Sequence, residues 1–230
     1  MGDAYVVGHV YGRLIVFDLD GTLVDSSRDL ADSVNDVLVE LGARPLPHGS
    51  ITRMVGEGAK ILVRRALAAS SLPETPDALA RFLEIYDTRL LNHTKPYDGI
   101  VDVVRAAREH ARVAVLTNKP LEPSEKVLAG LGLRDLFDEV IGSDGPFPRK
   151  PDPAALRALM ARAGATPERT LMVGDSLIDY ETATNASARC CLVAYGFSNH
   201  TLEGVRAGDA WIVPDVSGLA EVIARFVATG

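Results

Sequence analysis

Leu14-Ile15-Val16-Phe17 is a run of four apolar residues that stops at a carboxylate, and short apolar runs recur along the chain. Val113-Ala114-Val115-Leu116, Leu171-Met172-Val173 and Cys190-Cys191-Leu192-Val193 are built the same way. Unbroken apolar runs this short predict strands buried on both faces, as in a parallel sheet. The predicted strands are 112–116, 139–141, 170–173, 189–193 and 210–212. The segment Gly12 to Thr22 supplies the central one, because open α/β sheets place their chemistry at strand carboxyl ends, at a switch point. Helical patterns fall between them at 99–110, 120–129, 152–163, 177–187, about 202–207 and 216–227. Strands alternating with helices predict an α/β fold, a parallel sheet covered on both faces. Tyr5-Val6-Val7 reads either as a short extra strand or as a tail, and residues 1–12 carry no assigned function.

The rhythm breaks between Asp25 and His93, where the pattern predicts no strand. Ser26 and Ser27 can cap a helix to about Leu41, with Leu30, Val34, Val37, Leu38 and Leu41 on one stripe. Gly42 ends it, Pro45, Pro47 and Gly49 make a turn, and helices follow at 51–55, 59–69 and 78–91. An all-helical block inside an α/β rhythm predicts an inserted cap: core at 1–25, cap at 26–94, core again at 95–230. Its crossings near Asp25 and Thr94 to Tyr97 would be hinges.

Composition narrows the classes. With 230 residues and 47% hydrophobic content, the chain can bury a substantial core. The net charge of -7 and the lack of a basic block argue against nucleic-acid binding, though not against an anionic substrate held by a metal and a few local cations. No apolar run approaches membrane-spanning length, and residues 1–12 lack the form of a signal peptide. Adjacent Cys190 and Cys191 read as buried thiols, and a reducing, cytoplasmic compartment is the default. The five histidines do not cluster into a zinc set or a serine triad, and no P-loop or dinucleotide fingerprint is present. A monomer or homodimer is expected.

The strand ends carry the chemistry. Asp18 and Asp20 emerge together after the first run, followed by Gly21 for a tight turn and Thr22 for a hydroxyl and a backbone N–H. Two carboxylates this close repel unless a cation or a shared proton relieves them, and Mg2+ favours such hard oxygen ligands. If the strand continues, both side chains reach one site; if the chain turns at Asp20, its carbonyl replaces its side chain as a ligand. Thr117-Asn118-Lys119-Pro120 opens a helix after a strand, which suits phosphate oxygens and suits a plain capped helix equally. Lys150, between Pro148 and Pro151, can neutralise a transferred phosphoryl group and separate two carboxylates; alone it reads as a loop lysine. Gly174-Asp175-Ser176, with Asp179 following, repeats the opening theme. Asp175 can complete a metal site, while Asp179 can bind metal, orient Lys150 or favour a helix N-terminus. In the cap, the glycines of Arg53-Met54-Val55-Gly56-Glu57-Gly58 mark either a loop lowered over substrate, with Arg53 or its backbone meeting an anion, or a helix corner.

Taken in order, Asp18-Leu19-Asp20-Gly21-Thr22, Thr117, Lys150 and Gly174-Asp175-Ser176 with Asp179 resemble the four motifs of haloacid dehalogenase (HAD) superfamily phosphatases with a small helical cap. D-L-D-G-T-L-V-D-S at Asp18 to Ser26, V-G-E-G at Val55 to Gly58, T-N-K-P and V-G-D-S-L-I-D resemble the phosphoglycolate phosphatase branch. One departure is Ser187, where that family usually has Gly.

The resemblance implies a Rossmann-like three-layer core with an inserted α-helical cap. It implies Mg2+-dependent hydrolysis of a small phosphorylated metabolite, foremost 2-phosphoglycolate to glycolate and phosphate. Asp18 would be the nucleophile that forms an aspartyl-phosphate, and Asp20 the acid and then the base. Asp18, Asp20 through its backbone carbonyl, and Asp175 would hold the metal, with Asp179 in or next to the shell. Thr117 and Lys150 would join the catalytic set, and Gly21, Thr22, Asn118, Arg53 and Gly56 would line the phosphate and substrate site. Sugar-phosphate phosphatases, pyrophosphatases and phosphoglucomutases share most of these words. A phosphonate-cleaving enzyme would have only Lys60 as its cap lysine. A non-enzymatic binder of phosphorylated ligands is expected to have lost Asp18 or Asp20, and both are kept.

Overall fold

The computed structural model describes residues 12–206 and 208–229. The stretch Tyr5-Val6-Val7 lies outside the described residues. The strands are β1 (Leu14–Phe17), β2 (Val24–Asp25), β3 (Lys95–Pro96), β4 (Arg112–Leu116), β5 (Glu139–Ile141), β6 (Thr170–Gly174), β7 (Arg189–Val193) and β8 (Trp211–Val213). Six of them form one parallel sheet in the order β5-β4-β1-β6-β7-β8. β1 is central, with Phe17 in register with Val115 on one side and Val173 on the other.

Alternate side chains of β1 enter different cores, as the pleat requires. Ile15 and Phe17 join Val104, Val127, Leu219 and Ile223; Leu14 and Val16 join Leu156, Leu159 and Ala183. The first core is covered by α5 (Ile100–Arg108), α6 (Leu121–Gly130) and α9 (Val216–Ala228), the second by α7 (Ala154–Ala163) and α8 (Leu177–Asn185). Each buried aliphatic side chain here contributes roughly 1.5–3 kcal/mol. The result is the expected three-layer α/β core. Cys190 and Cys191 on β7 are free and buried, and burial raises both thiol pKa values. Among the described residues, no helix is long and apolar enough to cross a membrane.

The inserted helices are α1 (Ser27–Glu40), α2 (His48–Thr52), α3 (Ala59–Ala69) and α4 (Pro76–Asp87). They bury Val34 and Leu38 against Leu62, Val63, Ala66, Phe82 and Ile85. Where the chain enters and leaves this block, β2 and β3 pair antiparallel, Val24 with Pro96 and Asp25 with Lys95. That ribbon is too short to leave an alternation in the sequence. The buried Asp29 carboxylate reinforces it, accepting from the N–H groups of His93 and Thr94 and the Thr94 hydroxyl at 2.8–2.9 Å.

Several element ends differ from expectation. α2 begins at His48, behind Pro47, rather than at residue 51. α4 starts earlier because the Thr75 side chain caps it and Pro76 takes the first position, and it stops at Asp87 rather than at residue 91. Leu41 follows the end of α1 and is 44% exposed, so it leaves the predicted stripe. The short helix near residue 202 is a 3-10 turn at Asn199–Gly204.

Candidate active site

Asp18 directly follows β1, and its N–H donates to the Val173 carbonyl at 2.8 Å, so the next strand fixes it. The chain then turns. Gly21 sits at φ +87°, and its N–H donates to the Val24 carbonyl at 2.9 Å. A Cβ on Gly21 would lie 2.4 Å from Asp175 Oδ2, so both its conformation and its closeness to that carboxylate require glycine. The Leu19 carbonyl accepts the N–H groups of Leu23 at 2.9 Å and Val24 at 3.1 Å, and across this turn the two aspartates that the sequence places side by side face different partners.

Asp18 joins Asp175 and Asp179, with one carboxylate oxygen of each within 4.8 Å of the others. The three come from the ends of β1 and β6 and the first turn of α8. Asp175 Oδ2 accepts the N–H groups of Phe197 at 2.7 Å and Ser198 at 3.1 Å. Asp179 Oδ2 accepts the Ser176 hydroxyl at 2.6 Å, within a reciprocal capping box, while Asp179 Oδ1 accepts from Lys150 Nζ at 2.6 Å. Lys150 Nζ also lies 2.9 Å from Asp18 Oδ1, so one ammonium bridges two carboxylates. A Cβ on Gly174 would lie 2.2 Å from the Asp179 carboxyl carbon, which is why the strand can end only in glycine there.

Burial pushes the Asp18 carboxyl up to about 6, with Lys150 opposing the rise and Asp179 adding to it. Asp175 is also raised, by burial first and then by its two carboxylate neighbours. Burial alone would lower Lys150, but Asp179 and Asp18 outweigh it and keep the ammonium charged. Three buried carboxylates, two of them bridged by one ammonium, make a donor set that suits a hard divalent cation.

The Asp20 carboxylate does not enter this cluster, which matches the alternative in which the chain turns at Asp20 and leaves only its carbonyl for a metal. It accepts the Ser26 hydroxyl at 2.6 Å and Lys119 Nζ at 3.1 and 3.2 Å. Ser26, expected as a helix cap, makes no side-chain cap bond. Lys119 is only 7% exposed and also donates to the Tyr86 hydroxyl of α4 at 2.5 Å. Lys119 and Tyr86 escaped the sequence reading. The T-N-K-P word held a signal for the lysine, whereas Tyr86 lies on an apolar stripe with Phe82 and reads there as core.

A pocket between core and cap is lined by Asp18, Asp20, Thr117, Asn118, Lys119 and Tyr86, with apolar walls that include Leu62 and Phe82. Asn118 Nδ2 donates to the Gly56 carbonyl at 3.1 Å and the Lys150 carbonyl at 3.2 Å, so the cap glycine loop rests on the core. Thr117 is buried, and its Oγ1 accepts the Lys119 N–H at 3.3 Å. The buried Thr22 Oγ1 and Asn118 Oδ1 have no hydrogen-bond partner. Gly56 borders this pocket, but Arg53 does not. Arg53 lines a separate cavity with Ser176, Leu177 and His200, so its expected substrate contact has no support in this geometry.

Residues 15–193 match the model of the haloacid dehalogenase-like hydrolase family. Phosphoglycolate phosphatase of Rhodospirillum rubrum is 41% identical over 204 residues, which cover 85% of each chain. Phosphoglycolate phosphatase 1 of Pseudomonas aeruginosa is 42% identical over 196 residues, covering 82% of this chain and 71% of that one. A crystal structure of a predicted phosphoglycolate phosphatase from Haemophilus somnus 129PT superposes with a TM-score of 0.83 at 28% identity, covering 93% of this chain and 98% of that one. The motif order, the carboxylate cluster and these likenesses agree: the chain belongs to the haloacid dehalogenase-like hydrolases, and within them it is closely related to phosphoglycolate phosphatases.

Proposed function

We propose that the protein is a Mg2+-dependent phosphomonoesterase that hydrolyses 2-phosphoglycolate through an aspartyl-phosphate on Asp18. The observation that carries this reading is the buried trio Asp18, Asp175 and Asp179 below a cap-covered pocket that also holds Asp20. An Asp18 carboxylate oxygen attacks phosphorus while the bond to the ester oxygen breaks. Asp20, braced by Ser26 and Lys119, donates a proton to the leaving oxygen. It then takes a proton from the water that attacks the aspartyl-phosphate and frees phosphate. Lys150, Thr117, the Asn118 backbone N–H and the Thr22 hydroxyl hold the phosphoryl oxygens. Asp18, Asp175, Asp179 and the Asp20 carbonyl would hold Mg2+, which supplies positive charge between nucleophile and ester.

Residues 26–94 act as the cap, moving on the β2–β3 ribbon, and the Asn118–Gly56 contact belongs to its closed position. The pocket supports a small leaving group. Its volume is about 60 Å³, room for roughly four or five water-sized groups. Its cap walls, Leu30, Val55, Leu62, Phe82 and Leu83, offer few partners to the hydroxyls of a sugar. The free, buried Cys190 and Cys191 suit a reducing cytoplasm.

Phosphate release from 2-phosphoglycolate, sugar phosphates, pyrophosphate and p-nitrophenyl phosphate, with Mg2+ and with EDTA, tests the reading. Preference for 2-phosphoglycolate that disappears with EDTA is the expected result. Metal-dependent preference for another ester would keep the chemistry and refute the substrate.

A further inference from the structure

The pocket above Asp18 and Asp20 is uneven in its chemistry. Its walls are largely apolar, and among the described residues lining it Lys119 is the one cation. Lys119 is 7% exposed, and its Nζ lies 4.5 Å from the centroid of the Tyr86 ring as well as 2.5 Å from the Tyr86 hydroxyl. The Tyr86 ring is stacked on Phe82 at 5.5 Å, one turn earlier on α4, so the cap presents the hydroxyl on a rigid support. The ammonium is therefore seated from two sides, by Asp20 of the core and by Tyr86 of the cap.

An ammonium has three N–H donors. One N–H can bridge the two Asp20 oxygens, which lie at nearly equal distances, and a second serves Tyr86. The third is left for a ligand. Lys150, the other buried lysine of the site, is committed to Asp18 and Asp179 on the phosphoryl side. Lys119 stands instead beside Asp20, the group that meets the leaving oxygen. An anionic group one or two bonds from that oxygen would come within reach of Lys119 and would find no other cation in the pocket. In an apolar, water-poor cleft, such a pairing is worth more than in solvent.

We infer that Lys119, held by Tyr86 and Asp20, is the specificity-determining residue that reads a carboxylate on the leaving group. The inference rests on the phosphatase reading above and deepens it. Selection of small carboxylate-bearing esters then depends on a core lysine beside the general acid, and the cap contributes the tyrosine that seats it. Because the same tyrosine joins cap to core, carboxylate recognition is confined to the closed cap.

The test compares kcat/KM for 2-phosphoglycolate and for 2-hydroxyethyl phosphate, an ester of nearly equal size with a CH2OH group in place of the carboxylate, in wild-type protein and in Lys119→Met. Any general effect on Asp20 lowers both esters together, so the ratio isolates recognition of the carboxylate. The ratio is expected to fall about 10- to 100-fold, equivalent to one charge-assisted hydrogen bond, mostly through KM for the carboxylate-bearing ester. Lys119→Arg should restore part of it. Tyr86→Phe keeps the ring and removes the hydroxyl; it should lower the ratio in the same direction by a smaller factor, and it carries the test if Lys119→Met does not fold. Equal losses for both esters, or an unchanged ratio in the variants, would overturn the inference while leaving the phosphatase reading intact. Wild-type protein that cleaves both esters equally well would also overturn it. Wild-type protein that releases phosphate from neither ester with Mg2+ would overturn both.

Discussion

Asp18 and Asp20 are separated by one residue, yet they face different partners. Asp18 lies against Lys150 and beside Asp175 and Asp179, while Asp20 is held by Ser26 and Lys119. Two carboxylates serve as nucleophile and as acid only if their surroundings differ, and these separate partners create that difference. Replacing Asp18 by Asn keeps the shape and removes the anionic nucleophile. Steady-state phosphate release should fall by about a thousandfold or more, while circular dichroism and melting temperature show an intact fold. A rate within a few fold of wild type would refute the nucleophile.

The elements hold these residues because the strand ends converge. β4, β1 and β6 are neighbours in the sheet, so Thr117, Asp18 and Asp175 emerge side by side. α8 begins directly after Asp175, and its capping box places Asp179 in the cluster. The other end of α8 is less well fitted. Ser187, after the last helical residues, has φ +60°, a left-handed conformation that a side chain strains and glycine does not. Ser187→Gly should therefore raise unfolding stability by about 1 kcal/mol in urea denaturation, with kcat unchanged. A destabilised variant would show that the serine side chain makes a compensating contact.

At the scale of the whole molecule, the carboxylate cluster sets stability against function. A carboxyl whose folded pKa lies above its unfolded value binds its proton more tightly in the folded chain. Its stabilisation is complete below the unfolded value of about 4 and is lost as pH rises through the folded value. For Asp18 that folded value is about 6, and Asp175 shifts in the same direction. Metal-free protein should therefore melt at a lower temperature at pH 7.5 than at pH 5. Saturating Mg2+ at pH 7.5 should raise the melting temperature by several degrees, roughly as expected for a ligand at a hundred times its Kd. At pH 5 the gain should be smaller, because protons compete for the same oxygens. Asp175→Asn should flatten both dependences. A melting temperature indifferent to Mg2+ at pH 7.5 would refute a metal site at this cluster.

The sequence by itself determined the elements that carry the site and the kinds of group at their ends. Apolar runs such as Leu14 to Phe17 and Leu171 to Val173 are local patterns, and local patterns survive without knowledge of the fold. The set Asp18, Thr117, Lys150, Asp175 was legible through the resemblance to four motifs in order, since Thr117 alone reads equally as a capped helix and Lys150 alone as a loop lysine. Tertiary structure alone decided which groups meet. The backbone turn from Leu19 to Val24 goes with an Asp20 carboxylate held by Ser26 and Lys119, apart from the carboxylate cluster, and no residue pattern states that geometry. Lys119 meets Tyr86 across 33 positions of chain, and Asp29 meets Thr94 across 65. The first contact depends on the cap folding over the sheet and the second on the two ends of the inserted block coming together, so Tyr86 reads as core and Asp29 as an ordinary first-turn acid until those segments meet. Arg53 shows the converse. It sits in a glycine loop that does reach the core through Gly56, but its side chain belongs to another cavity. Spacing along a chain places a residue on an element, and only packing decides which side of a cleft its side chain serves.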